Sequence, residues 1–299
     1  MRAVVLTDYG DVDKLELRTV PEPDVGPGEI KVKLAASSVN PIDWKVRRGG
    51  YRDLELPAIL GRDAAGEIVS VGQGVSAFRV GARVLGLVNK AYAEFVVDRE
   101  NAWAEAPQPM DLIDAAALPL VVLTGAQLIE EGVRPRAGSV VLVTGAVGSV
   151  GRAAVFAARA RGAEVVAGVR RKQKGAAAEL NVDVVAIDDD AEIERLPRLD
   201  AIADTVGGDT LRKLLRKVRK GGTVGSVLGQ PAGAREHGLT GRTHMTHPDG
   251  KRLAQLAQAV AAGELVIPIA RRMPLEQVRE AQQVAEKGAA GGKVVLRIH

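Results

Sequence analysis

One stretch limits what this chain can fold into more than any other. Residues 140–151 read Val-Val-Leu-Val-Thr-Gly-Ala-Val-Gly-Ser-Val-Gly, an apolar run of strand length followed by a glycine turn that opens a helical pattern. In that pattern Val150, Ala153, Ala154, Ala157 and Ala158 recur at helical spacing, Arg152, Arg159 and Arg161 take the other face, and Gly162 stops the helix. A second apolar run at 164–169 completes a strand–helix–strand unit. Further runs at 183–187, 201–204 and 223–228 alternate with helical stretches. Continuous apolar runs between helices predict parallel strands buried on both faces, so this part of the chain reads as an α/β doubly wound sheet.

The turn has the spacing and the context of a dinucleotide-binding fingerprint. Gly148 would let the backbone approach a pyrophosphate, and Gly151 would let the helix pack closely on the strand. The first helical amides, those of Ser149 and Val150, would face the anion. Ala146 stands where the strict pattern has its first glycine. In a chain with 34 glycines the alternative is an ordinary βα turn, but strand, turn and helix agree here. Sites that choose NAD place an acid about 20 residues after the glycines to grip the ribose hydroxyl. This chain instead has Arg170, Arg171 and Lys172, with Lys174 close behind. Guanidinium groups at that point suit the extra phosphate of NADPH, the alternative being a solvated helix start.

The rest of the chain is organised differently. Up to about residue 110, short strands at 3–6, 30–35, 65–71, 83–87 and 93–97 are separated by Gly and Pro, which predicts irregular β structure. Pro21, Pro23, Pro27 and Gly28 form a connector between the first two. A helix is predicted over 248–262, and the last 35 or so residues read as short β-like pieces ending at 293–298. At 299 residues two domains are the natural expectation, with one domain left open.

Composition removes several classes of function. There is no cysteine, so disulfides, thiolate catalysis and cysteine-ligated zinc are excluded. His244 and His247 have no third ligand nearby, so no metal is expected. The 41 basic and 37 acidic residues are interspersed and aromatic residues form only 3%, which argues against nucleic acid as a partner. Pro119 interrupts the longest apolar neighbourhood, 115–123, which is far short of the roughly 20 residues that span a bilayer. The apolar run after Arg2 is too short for a secretory signal, so the expectation is a cytoplasmic protein without a membrane partner.

With those residues placed, the chain resembles the quinone oxidoreductase (zeta-crystallin-like) branch of the zinc-free medium-chain dehydrogenase/reductases along its whole length. The likeness rests on Met1-Arg-Ala-Val-Val-Leu with Pro21-Glu-Pro, on Ser38-Val-Asn-Pro-Ile-Asp43, and on Gly61-Arg-Asp-Ala-Ala-Gly-Glu-Ile-Val-Ser-Val-Gly72. Ala91-Tyr-Ala-Glu94, Leu118-Pro-Leu120 with Leu123-Thr124, Asp204-Thr-Val-Gly-Gly208 and Gly292-Lys-Val-Val-Leu296 continue it in order. The resemblance implies a GroES-like β-barrel catalytic domain, residues 1–112 and 266–299, and a Rossmann NADPH-binding domain, residues 113–265, inserted between its parts. It also implies Thr124 as a cofactor contact. Zinc-dependent relatives have cysteine where this chain has Asn40, and histidine and glutamate where it has Arg62 and Asp63, so the resemblance implies a site without metal.

Hydride transfer from NADPH to a quinone or an activated alkene is the implied activity. Asn40 is the expected amide donor near the reacting centre, unless it only turns the chain before Pro41. Tyr51 is the next candidate, as a phenol donor, a substrate-shaping ring or a loop-packing residue. Asp43 and Arg62 are expected to pair as structural charges. Two other readings stay open, an enoyl-thioester reductase and a non-catalytic NADPH-binding sensor or scaffold. Residues 239–245 are the expected pairing strand of a homodimer, although Gly241, Arg242 and His244 make it a poor strand.

Overall fold

The structure is a computed structural model that describes residues 1–51, 54–288 and 291–298. Its chain begins as antiparallel β structure. β1 (Arg2–Leu6) pairs with β2 (Leu15–Thr19), and the long β3 (Glu29–Val39) follows. Ile30, Val32 and Leu34 of β3 point inward at period two, but its last four residues, Ala36, Ser37, Ser38 and Val39, are all buried. Two polar residues are therefore carried into the interior at that end. Pro41 opens α1 (Pro41–Arg47), for which its fixed backbone is already suited. β4 (Ala58–Ile59), β5 (Asp63–Val71), β6 (Arg83–Leu87), β7 (Phe95–Arg99) and β8 (Trp103–Glu105) follow, and β5 and β7 both pair with β3.

α2 (Leu112–Ala115) and α3 (Pro119–Gln127) lead onward, and α3 continues as a π turn over Leu128–Val133. Strands and helices then alternate: β9 (Val140–Thr144), α4 (Ser149–Ala160), β10 (Glu164–Val169), α5 (Lys174–Ala177), β11 (Asp183–Ala186), α6 (Asp190–Glu194), β12 (Leu199–Asp204), α7 (Gly208–Leu215), β13 (Val218–Ser226) and β14 (Thr240–Thr243). The strands form one parallel sheet in the order β11-β10-β9-β12-β13-β14. The winding reverses between β9 and β12, and doubly wound sheets bind ligands at the carboxyl ends of the strands at such a point. Leu142, Val166, Val185, Ile202 and Val224, one from each of five strands, share one apolar cluster. β14 forms as an edge strand despite Gly241 and Arg242, because pairing on β13 supplies its bonds.

The chain closes with α8 (Gly250–Ala261), β15 (Ile269–Pro274), α9 (Val278–Glu286) and β16 (Lys293–Arg297). β16 lies between β15 and β3, giving the order β15-β16-β3-β5-β6-β8. The chain divides into Met1–Leu120 with His247–His299, and Val121–Thr246. These boundaries differ from the expected 112/113 and 265/266. α8 belongs with the β-rich unit because Gly250 sits directly on β8, where a Cβ would fall 2.1 Å from the Trp103 carbonyl oxygen. α9 corrects the expectation of β pieces near the end; its buried Val278 and Ala281 have helical spacing. Among the described residues no helix is long and apolar enough to cross a membrane.

Candidate functional site

In the Val121–Thr246 unit, the sequence-predicted residues gather around the start of α4. Gly145 has a positive φ of 63°. A Cβ on Gly151 would lie 2.2 Å from the Gly145 oxygen, so α4 presses on the turn as closely as backbone allows. Gly148 differs. A Cβ there would meet only the Gly145 oxygen, at 3.2 Å, so its outer side is open. As the N-cap it has no side chain to accept from the helix, and the first backbone bond back to it comes from Arg152. The amides of Ser149 and Val150 are thus left pointing out of the helix end, where the positive end of its dipole also lies. Ala146 is fully buried and its N–H bonds the Gly168 oxygen on β10.

Two residues hold this turn that sequence reasoning did not assign to it. Arg152, expected on the outer face of the helix, is 7% exposed; its Nε donates to the Val147 oxygen (3.1 Å) and its Nη2 to Glu179 (3.2 Å). Its long aliphatic stem is buried while the guanidinium curls back over the turn. Asp204, at the end of β12, accepts from Thr144 Oγ1 (2.9 Å), Ser226 Oγ (2.8 Å) and the amides of Val206 and Gly207. That carboxylate ties together the ends of β9, β12 and β13. Asp204 stood within a recognised segment, but its side-chain partners Thr144 and Ser226 lie 60 residues before it and 22 after it.

Thr124 lies on α3, 7% exposed, with its hydroxyl 2.7 Å from that of Thr246. The neighbouring Gly125 brings α3 onto the first turn of α4, since a Cβ there would lie 2.4 Å from the Val150 oxygen. Thr124 is therefore beside the glycine turn. Arg170 directly follows β10, the strand next to β9, and is exposed. The basic run is divided in its partners. Arg171 pairs with Asp189, and its backbone N–H donates to Asp188 (2.7 Å). Lys174 pairs with Glu192 (2.9 Å). Arg170 and Lys172 form no ion pair among the described residues.

The β-rich unit holds a buried polar cluster at the inner end of β3. Asn40 is fully buried. Its Nδ2 donates to Asp63 Oδ2 (2.7 Å) and to the Ser38 oxygen (3.4 Å), while its Oδ1 accepts from Lys293 Nζ (2.6 Å). Lys293 also reaches Asp63 Oδ2 (3.1 Å) and the Val39 oxygen (3.3 Å), so its three hydrogens have three acceptors. Asp63 accepts in addition from Ser38 Oγ and the Leu120 amide, both at 2.6 Å. Asn40 thus spends both amide hydrogens inside the protein, which differs from the expected role of donor to a substrate.

The expected pairing of Asp43 with Arg62 does not form. Asp43 Oδ2 accepts instead from Tyr92 Oη and the Asn40 amide, both at 2.7 Å. Burial pushes the Asp43 carboxyl up to about 6, against the stabilising effect of those two bonds. The Tyr92 phenol is pushed well above its ordinary value, by burial first and then by the Asp43 charge. Arg62 is half-buried and makes no ion pair among the described residues, and its buried Nε has no hydrogen-bond acceptor. Tyr51 is 46% exposed just beyond α1, with no bond to Asn40. No three His, Cys, Asp or Glu side chains converge on a metal-sized site among the described residues.

Two family models match the chain: an alcohol dehydrogenase GroES-like domain over residues 26–106, and a zinc-binding dehydrogenase over residues 180–296. The chain is 31% identical to a quinone oxidoreductase of Homo sapiens, with 99% of this chain and 97% of that protein covered. It is 30% identical to a chloroplastic NADPH-dependent alkenal/one oxidoreductase of Arabidopsis thaliana, over 99% of this chain and 79% of that protein. Among solved structures, a mycobacterial protein complexed with NADPH matches with a TM-score of 0.84 at 26% identity, with all of both chains covered.

Proposed function

The chain belongs to the zinc-free, quinone oxidoreductase type of the medium-chain dehydrogenase/reductases, and on that premise we propose that NADPH is its hydride donor and a small quinone or enone its acceptor. It is an oxidoreductase that uses a nicotinamide cofactor. The observation that carries the reading is the start of α4, where a helix end without a side-chain cap meets a glycine whose outer side is open, the arrangement that suits a pyrophosphate. A bound dihydronicotinamide supplies the hydride. Ser149 and Val150 hold the pyrophosphate on their amides, and Thr124 borders it. Arg170 and Lys172, with no carboxylate partner among the described residues, receive the 2′-phosphate, while Arg171 ties the loop after β10 to the loop after β11. The exposed side chains of Val206 and Leu228, at the ends of β12 and β13, offer an apolar face to a flat ring.

The test is a fluorescence titration with NADPH and NADH, followed by stopped-flow oxidation against a panel of quinones and enones. Preferential NADPH binding with turnover is the expected result. Arg170→Ala is expected to weaken NADPH by about 10- to 100-fold, the loss of one or two charge-assisted bonds, and to leave NADH unchanged. Equal losses for both would remove the 2′-phosphate assignment. The saturated bonding of Asn40 favours one other reading, a binding protein without turnover, and NADPH binding with no oxidation by any acceptor would establish it. The free edge of β14 is consistent with a homodimer, which sedimentation would detect.

A further inference from the structure

We propose that Arg152 is a binding residue for the cofactor's pyrophosphate, and that its charge disfavours the free protein until that anion arrives. This deepens the cofactor reading above and rests on it. The observation behind it is a buried cation near the end of a helix that repels cations. From Thr144 to Phe156 Arg152 is the only ionisable residue, and the first turn of α4 contains no acid. Arg152 is the fourth residue of α4, beside the amides that the cap Gly148 leaves open. The positive end of the helix dipole lies there, where a carboxylate would be stabilised and a guanidinium is not.

Everything that places this guanidinium belongs to the Val121–Thr246 unit. A helical side chain leans back toward the amino end of its helix. That of Arg152 does so in a residue only 7% exposed, and its Nε donates to the Val147 oxygen (3.1 Å), directly before the open glycine. The backbone fixes the same neighbours: the Arg152 N–H donates to the Gly148 oxygen (2.8 Å), and the Gly148 N–H to the Gly145 oxygen (2.9 Å). Nη2 reaches Glu179 (3.2 Å), whose side chain is 68% exposed. Nη1 has no hydrogen-bond partner among the described residues.

An ion pair to so exposed a carboxylate is screened by water and contributes little. The guanidinium is therefore desolvated without full compensation, and the dipole adds to the penalty. An apolar side chain of similar length would fill the same space with neither penalty. An anion on the turn reverses both effects at once, because it accepts from the amides of Ser149 and Val150 and lies beside the guanidinium. In the reading above Arg170 and Lys172 take the 2′-phosphate; Arg152 takes the charge that they do not.

Arg152→Met keeps the stem and removes the charge, and Arg152→Lys keeps a charge. The probe is ADP-ribose, which has the pyrophosphate but neither the 2′-phosphate nor the nicotinamide, titrated by calorimetry beside NADPH and NADH. Arg152→Met is expected to bind all three about 10- to 100-fold more weakly, the loss of one charge-assisted contact, with the preference between NADPH and NADH unchanged. Without ligand it is expected to melt no lower than the wild type, and Arg152→Lys to recover part of the affinity. Added sodium chloride is expected to weaken ADP-ribose binding less in Arg152→Met than in the wild type, a difference that a residue acting only through packing does not produce. Equal affinities or equal salt dependence, in a wild type that binds NADPH, overturn the assignment of Arg152 alone. A ligand-free melting temperature lowered in both variants, with Arg152→Lys binding no better than Arg152→Met, makes Arg152 a brace of the turn and overturns it too. A wild type that binds none of the three ligands overturns the placement of the cofactor on the glycine turn, and this assignment with it.

Discussion

Asp43 shows how much a single buried group can tell about the β-rich unit. Its carboxyl titrates near 6 in the fold, against an ordinary value of 3.8. Between those values the native protein keeps a proton that the unfolded chain has released. The stability from this group is therefore complete below about 3.8 and is lost as the pH rises to about 6, a change of roughly 3 kcal/mol. Asp43→Asn cannot titrate, so its stability relative to the wild type is expected to increase by that order between pH 4 and pH 7, measured by urea denaturation. Parallel profiles for the two proteins would show that Asp43 is not the titrating group. Sequence reading singled out Asn40, Asp43 and Arg62 but misjudged their partners. The acceptor of the Asn40 amide and the donor to its oxygen come from Asp63 and Lys293, the latter 253 residues away, and nothing local signals such a bond. The glycine turn was legible because all of its parts lie within twelve consecutive residues. Arg170 was legible in position, whereas the loss of Arg171 to Asp189 depends on the next βα loop.

Among the elements, the parallel strands were readable from their apolar runs, since burial on both faces leaves little choice of residue. α9 was overlooked although Val278, Ala281 and Ala285 repeat at helical spacing, because the surrounding short runs suggested strands. Contacts between helices were not readable at all. Gly125 stands in an apolar stretch with no local reason to be glycine, yet it is where α3 meets α4. In Gly125→Ala the added methyl must displace the first turn of α4, at a cost of about 1–3 kcal/mol. NADPH affinity should fall with it, because the amides of Ser149 and Val150 move. Gly175→Ala is the matching control: it lies in α5, has nothing within 4 Å of the added Cβ, and removes the entropic cost of a helical glycine. It should gain up to about 1 kcal/mol with no change in NADPH affinity. Thermal melts with and without NADPH separate the two, and equal behaviour would mean that the α3–α4 contact does not position the turn.

At the scale of the molecule, each unit has its own buried apolar cluster. In the β-rich unit it is built around Ile30, Leu34, Ile68, Trp103 and Leu296, and in the parallel-sheet unit around Leu142, Ile202 and Val224. Ser149, Val150, Arg170 and Thr124 all belong to the second unit, Val121–Thr246. A ligand stabilises what it binds: at one hundred times its dissociation constant NADPH adds about 2.7 kcal/mol to the state that holds it. If the unit with those four residues opens on its own, that energy slows amide exchange there by about 100-fold, in β9, β10 and β12 above all. The amides of β3 and β5 then keep their rates. Hydrogen exchange followed by mass spectrometry with and without NADPH measures both sets in one experiment. Slowing of equal size in β3 and β5 would mean that the two clusters open together, and that the stretch from Val121 to Thr246 unfolds only with the rest of the chain.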